Sequence, residues 1–192
     1  MRLLGTIVRL QYQRDHLKSP GPFGRQFSPA NIVSTDHLHF TPEGVEAGTA
    51  AEPIYDAHHM HHPRSRNRGD NGISIGFTSH YAAMRERLGD RLVDGIAGEN
   101  ILIEHTGMFR EADFAGGLMV ETIDGPIGIS QIKIAAPCVE YSRFAMDYPA
   151  DEAPDRRVTD TLVFLNLGMR GFYATMEASA TIRVGDTVYF RD

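Results

Sequence analysis

The chain has a single cysteine, Cys138, no tryptophan, and only two lysines, Lys18 and Lys133. A lone thiol excludes an intramolecular disulfide and a cysteine-built zinc site within one chain. No apolar run approaches the length of a helical membrane span. The opening stretch carries Arg2 and Arg9 and lacks the apolar core of a signal peptide. A free thiol without an export signal is expected in the cytoplasm, away from membranes. Neither G-x-x-x-x-G-K-[ST] nor G-x-G-x-x-G occurs, and no Ser-His-Asp spacing stands out. Positive charge is also scarce: 19 Lys+Arg face 25 Asp+Glu, a formal net charge of -6. That balance argues against general nucleic-acid binding, which needs an excess of cations along phosphates.

What is present suits a folded domain. With 192 residues the chain can bury a core without staples, and 42% hydrophobic against 23% charged residues is a globular balance. One unit spanning 1–192 is expected. Residues 2–11 alternate as a strand, with Leu4, Thr6, Val8 and Leu10 on one face. Residues 18–30, with Pro20, Gly21, Pro22, Gly24 and Pro29, read as an irregular loop, and 41–72 is also turn-rich. Residues 73–77 alternate as a strand. Thr78 or Ser79 then caps a helix carrying Tyr81, Met84 and Leu88, stopped by Gly89. Short strands follow at 100–104, 118–123 and 127–135, the last two joined by Asp124-Gly125-Pro126. A helix is predicted over 159–167, with caps from 155–160 and a stop at Gly168. Strands are predicted at 171–177 and 181–190, the second folded into a hairpin at Gly185-Asp186. The sum is a mainly β fold: a closed, largely antiparallel barrel with a few peripheral helices.

Three groups of residues could carry chemistry. Cys138 follows a β-branched strand and the breaker Pro137, which places it at a strand end near solvent. A thiolate there is a nucleophile or a soft metal ligand, and Arg143, five residues on, could favour it electrostatically. The competing reading is an inert thiol packed as a small hydrophobe. The run His58-His59-Met60-His61-His62-Pro63-Arg64-Ser65-Arg66-Asn67-Arg68 offers imidazoles and guanidiniums. It matches no metalloenzyme signature and suits an anion-facing mobile flap beside the cleft rather than a primary metal centre. Gly95 and Gly98 before Glu99-Asn100, and Gly168 before Arg170-Gly171, mark tight turns that could aim polar groups at an anion.

Taken in order, these pieces resemble the MOSC domain, named for the C-terminal domain of molybdenum cofactor sulfurase. The segment Asp94 to Ile101 is similar to the family's G-x-x-GEN-hydrophobic motif, and Pro137-Cys138 to its cysteine. Gly168 to Ala174 and Ile182 to Val188 resemble its R-G-x-Y-A and I-x-x-G-D-x-V closing strands, so the likeness is clearest over 70–192. The resemblance implies that Cys138 is the catalytic residue. It would carry sulfur as a persulfide, or coordinate molybdenum as the metal ligand when molybdenum cofactor (molybdopterin) is bound. The chemistry would be that of a sulfur transferase or a molybdenum-cofactor-dependent oxidoreductase, independent of pyridoxal phosphate. Asn100, Arg170, Arg143 and Glu99 are then the expected cofactor-binding residues, with Asn100 and Arg170 near Cys138 and Glu99 mainly holding the turn. The expected partners are a sulfur donor or acceptor protein and an anionic small molecule or cofactor. The alternatives are a non-catalytic ligand-binding barrel and a metalloprotein using His58 to His62.

Overall fold

The computed structural model describes residues 1–22, 24–49 and 51–191. Its spine is β1 (Arg2–Gln13), whose length lets it pair with three partners. Going round from β1, the neighbours are β14 (Thr187–Phe190), β10 (Leu118–Thr122), β11 (Gly125–Ile134), β12 (Phe172–Met176), β8 (Ile73–Phe77) and β9 (Ile101–Glu104), which returns to β1. Closure leaves these seven strands without a free edge. All pairs are antiparallel except β8 and β9, which are parallel and connected through α1 (Thr78–Leu88). Strand β4 (Ile32–Thr35) adds to the far half of β1. A second sheet runs β13 (Ala180–Arg183), β5 (His37–Thr41), β6 (Gly44–Thr49) and β7 (Glu52–Tyr55). Helices α2 (Val139–Ala145) and α3 (Arg156–Phe164) pack against each other outside the barrel.

The strand expected at the N-terminus is there, but its inward face is not the alternating one. Leu4, Ile7 and Leu10 are buried while Val8 is 39% exposed. The register slips between Leu3 and Gly5 against β14, and between Ile7 and Arg9 against β9. Each irregularity flips the phase of a period-two pattern. Gly5 permits the first close approach, since a Cβ there would lie 2.2 Å from the Glu104 carbonyl oxygen. Inside the barrel Ile7, Ile75, Ile103, Val120 and Val188 meet a group of phenylalanines. Phe77, Phe114 and Phe172 lie with ring centroids 4.9–6.1 Å apart. Such edge and stacked pairs add to the burial that drives closure.

Four local expectations need correcting. Within 18–30, expected to be an irregular loop, β2 (Lys18–Gly21) pairs with β3 (Gly24–Phe27) as the two strands of a hairpin. Strands β6 and β7 occupy part of the turn-rich stretch after 41. Gly185-Asp186 does not make a hairpin: β13 joins β5 while β14 joins β1 and β10, so the chain changes sheets there. Neither Thr78 nor Ser79 caps α1. Phe77 holds that position, and both hydroxyls donate instead to carbonyls of the next loop, Thr78 to His105 and Ser79 to Gly107. The predicted helix at 159–167 is α3, starting earlier at a cap from Asp155 to the Arg157 amide. A wider turn, Leu165–Met169, ends it, with Gly168 at φ 92° as the stop.

Candidate functional site

Two glutamines of β1 build the base of the site. Gln11 Nε2 donates to the Gly95 carbonyl (2.5 Å) and Gln13 Nε2 to that of Gly98 (2.8 Å). Gly95 and Gly98 sit at φ 83° and 91°, and Cβ atoms there would strike Arg9 and Leu17. Glycine is required on both counts. This tight loop, just before β9, delivers Glu99 and Asn100 to separate sets of partners.

Asn100 is wholly engaged. Its Oδ1 accepts from the Ser74 amide and hydroxyl, both at 2.9 Å, and its Nδ2 donates to the Gln11 carbonyl and to Asp56 Oδ2 at 3.1–3.2 Å. It ties β8 to β1 and spends its donors within the protein. Asp56, fully buried, also accepts from the amides of Gln13 and His58. Burial alone would raise its carboxyl, but the His58 side chain and these amides hold it below the usual range.

Glu99 faces the other way, beneath α1 and α2. Tyr81 donates its hydroxyl to Glu99 Oε2 (2.8 Å) and accepts from the Ala97 amide (3.0 Å). Glu99 Oε1 lies 4.0 Å from Arg170 Nη1, too far for a hydrogen bond, and among the described residues neither buried atom has a hydrogen-bond partner. Burial raises the Glu99 carboxyl, with Arg170 and Tyr81 opposing. Two glycines make room: a Cβ on Gly76 would lie 3.0 Å from the Glu99 carboxyl carbon, and one on Gly171 would lie 2.5 Å from the Ile75 carbonyl oxygen. The Arg170 guanidinium covers the Tyr141 ring, 5.2 Å from its centroid. Burial opposes its charge, but Glu99 and the surrounding tyrosines raise its pKa and keep it protonated.

Cys138 stands immediately before α2 and is partly exposed. Its carbonyl accepts from the Ser142 amide and hydroxyl at 2.9–3.0 Å, which fixes the helix start. Its side chain packs against the cluster of Tyr81, Tyr141 and Met169 on the outer face of the barrel. Tyr141 is the link: its hydroxyl is pushed up by burial and by Glu99, with Cys138 acting in the same direction and Arg170 against it. Arg170 lies on this ring, Cys138 packs against the same cluster, and Glu99 stands behind Arg170. Arg143 donates to the carbonyls of Pro149 (2.7 Å) and Glu152 (2.8 Å), ordering the segment after α2. It also lines a cavity of about 140 Å³ with Arg25, Phe27, Glu140, Phe144 and Tyr148.

The histidine segment is not a free flap but a cross-linked block against the second sheet. His59 is buried, stacked on Tyr55 (4.3 Å between centroids) and 3.2 Å from Glu46. Burial lowers its pKa despite Glu46. Asn67 Nδ2 donates to the carbonyls of Glu43 and His58, and His62 Nε2 lies 3.2 Å from the Arg14 carbonyl. Among the described residues no group of three or more His, Cys, Asp or Glu is placed to hold a metal ion. Sequence reasoning missed Gln11, Gln13, Asp56, Tyr81, Tyr141, Lys18 and Glu140. Only the two β1 glutamines, polar residues late in an apolar strand, gave any signal.

A closed, mixed barrel with a partly exposed cysteine at a strand-to-helix junction, backed by a G-E-N turn and an arginine, defines the architecture of a known class. The MOSC domain model matches residues 35–189, and the chain belongs to the MOSC domain family. Among solved structures it is similar to the YuaD protein from Bacillus subtilis, with 15% identity, TM-score 0.54, and 96% of this chain and 97% of that one covered. YiiM from Geobacillus stearothermophilus is 16% identical with TM-score 0.53, covering 98% of this chain and 76% of that one. YiiM from Escherichia coli is 15% identical with TM-score 0.51, covering 83% and 65%. No curated protein matches the sequence. Among the described residues no helix is long and apolar enough to cross a membrane.

Proposed function

We propose that the protein, as one MOSC unit acting in the cytoplasm, carries sulfur on Cys138 between a donor and an acceptor. The observation that carries this reading is the placement of Cys138: a partly exposed residue at a fixed helix start, followed by Glu140 with its two cations and by Tyr141, whose ring Arg170 covers. Loading needs only a reachable thiolate. The Cys138 thiolate attacks the outer sulfur of a persulfide donor. A new sulfur–sulfur bond forms on Cys138, the donor's own sulfur–sulfur bond breaks, and the donor leaves as its thiolate. An acceptor nucleophile then takes the outer sulfur, and Cys138 returns as thiolate. The carrier undergoes no net oxidation or reduction. Arg170 supplies a buried positive charge behind Tyr141 through both steps.

The same donor set fits molybdenum cofactor in one respect. Cys138 is a soft ligand suited to molybdenum, and no other ligand cluster competes for a metal among the described residues. Cys138 would hold the metal, and Arg170, over the neighbouring Tyr141 ring, would be the cation for the anionic part of the cofactor, while Arg143 turns its guanidinium to the Pro149 and Glu152 carbonyls. Asn100 has no donor left for it. When bound, the group supplies redox chemistry at the metal.

The test loads the purified protein with a sulfane-sulfur donor, removes excess donor, and measures thiocyanate released by cyanide. About one equivalent per chain from the wild type and none from Cys138→Ser supports the proposal. Equal release from both, or from neither, rejects it.

A further inference from the structure

Hairpin β2–β3 sets two cations on one carboxylate beside Cys138. Lys18 pairs with Phe27 and Pro20 with Arg25, so Lys18, Arg25 and Phe27 project from one face. That face lies on α2. Phe27 meets the rings of Tyr141 and Phe144 at 5.1 and 4.8 Å between centroids. Lys18 Nζ lies 3.1 Å from Glu140 Oε2, and Arg25 Nε lies 3.2 Å from Glu140 Oε1. Glu140 follows Cys138 by two residues in the first turn of α2, and Cys138 is among the groups that hold its carboxyl below the usual range. The side chains are 27%, 52% and 13% exposed for Lys18, Arg25 and Glu140. The carboxylate is therefore the fixed member, and the cations are the groups that solvent reaches. The cavity beside them adds Arg91 and Arg143, with Asp147 as its second carboxylate. In a chain of net charge -6 this is a local excess of positive charge.

We infer that Lys18 and Arg25 determine specificity for the compound that meets Cys138, by receiving the oxyanion of a small sulfur compound. That oxyanion is a carboxylate, sulfonate or phosphate. Glu140 is the positioning residue, presenting both cations beside the thiol. The inference rests on the reading that Cys138 meets its substrate from solvent. Glu140 already occupies both cations with the chemistry an incoming oxyanion would use. An ammonium and a guanidinium each carry more N–H donors than the one given to Glu140, so an incoming oxyanion joins the pair from the solvent side while Glu140 stays in place. The anion then lies near Cys138 and its sulfur is held close to the thiol.

The test compares two alkylating reagents of nearly equal size, anionic iodoacetate and neutral iodoacetamide, at one pH and low salt. Both react with the same thiolate, so the ratio of their rate constants cancels the thiolate fraction and reports the local field. Lys18→Gln and Arg25→Gln are each expected to lower the iodoacetate-to-iodoacetamide ratio about two- to fivefold, and Glu140→Gln to raise it by a similar factor. Lys18→Arg and Arg25→Lys should restore it. Arg156→Gln, at an exposed position outside this cluster, should leave it unchanged. A ratio unmoved in both Lys18→Gln and Arg25→Gln overturns the inference and leaves the reading of Cys138 standing. If neither reagent modifies Cys138 in the folded wild type, that reading itself fails.

Discussion

His80 makes a strong prediction because its two nitrogens have fixed and different duties. Nδ1 lies 2.9 Å from the Gly168 carbonyl oxygen, and Nε2 accepts from the Phe109 amide at 3.0 Å. His80 lies in the first turn of α1 with its ring buried, and the neutral Nδ1–H tautomer is the one that satisfies both neighbours. Protonation would set a second N–H against the Phe109 amide. Burial lowers the His80 pKa to about 4, with the Gly168 hydrogen bond opposing. An unfolded histidine takes its proton near pH 6.5. Below that pH the unfolded chain binds a proton that the folded one refuses, so stability is fully present above about 6.5 and is lost as pH falls towards 4. The loss from this residue is about 2 kcal/mol by pH 5 and about 3 kcal/mol near pH 4. His80→Gln keeps an amide but gives up one of the two bonds, costing about 1–3 kcal/mol at pH 7.5. It carries no titrating ring. Urea unfolding of both proteins at pH 7.5, 6.5, 5.5 and 5.0 should therefore show the gap between them closing as pH falls. His16 and His59 titrate alike in both proteins and cancel. A gap that stays constant across this range would refute the reasoning. The residue matters to the site because its Gly168 partner lies two positions before Arg170.

Other substitutions test the scaffold of the site. Asn100→Ala removes four side-chain hydrogen bonds, strands the buried Ser74 amide and takes one donor from the buried Asp56 carboxylate. A loss of about 3–5 kcal/mol, roughly a 10 °C fall in melting temperature, is expected by calorimetry. Gly171→Ala adds a Cβ 2.5 Å from the Ile75 carbonyl at φ 96°, whereas Gly125→Ala at φ 113° meets nothing within 4 Å. The first should lose at least about 2 kcal/mol and the second about 1, and equal losses would show that the Ile75 contact is unimportant. Tyr81→Phe takes the hydroxyl from Glu99 and from the Ala97 amide, for a loss of about 2–4 kcal/mol in urea unfolding. A neutral result would contradict the role given to that bond.

The sequence showed element positions better than it showed partners. Ile73 to Phe77, the helix to Leu88 and its Gly89 stop were legible because periodicity and a terminal glycine act locally. The inward face of β1 was not, because two register slips are set by β9 and β14 rather than by β1 itself. The sheet change at Gly185 was hidden for the same reason: Val184 donates to the Asp36 carbonyl, a contact nearly 150 residues away in sequence. Cys138 was visible as a strand-end thiol after Pro137. Its neighbours Lys18 and Arg25 were not, because they lie in a hairpin whose prolines and glycines read as an irregular loop. Helix α2, only seven residues long, was missed because so short a segment has little periodicity. Glu99 and Asn100 were flagged together, yet they serve separate networks, one with Tyr81 and one with Ser74, Gln11 and Asp56.

The central claim is that Cys138 carries sulfur, and intact-protein mass spectrometry tests it most directly. The protein is incubated with a sulfane-sulfur donor, desalted, and measured under denaturing conditions before and after dithiothreitol. The account predicts a gain of one sulfur atom per chain on Cys138, removed by the reductant and absent from Cys138→Ser. An unchanged mass after loading, with Cys138 modified only once denaturant is added, would contradict it.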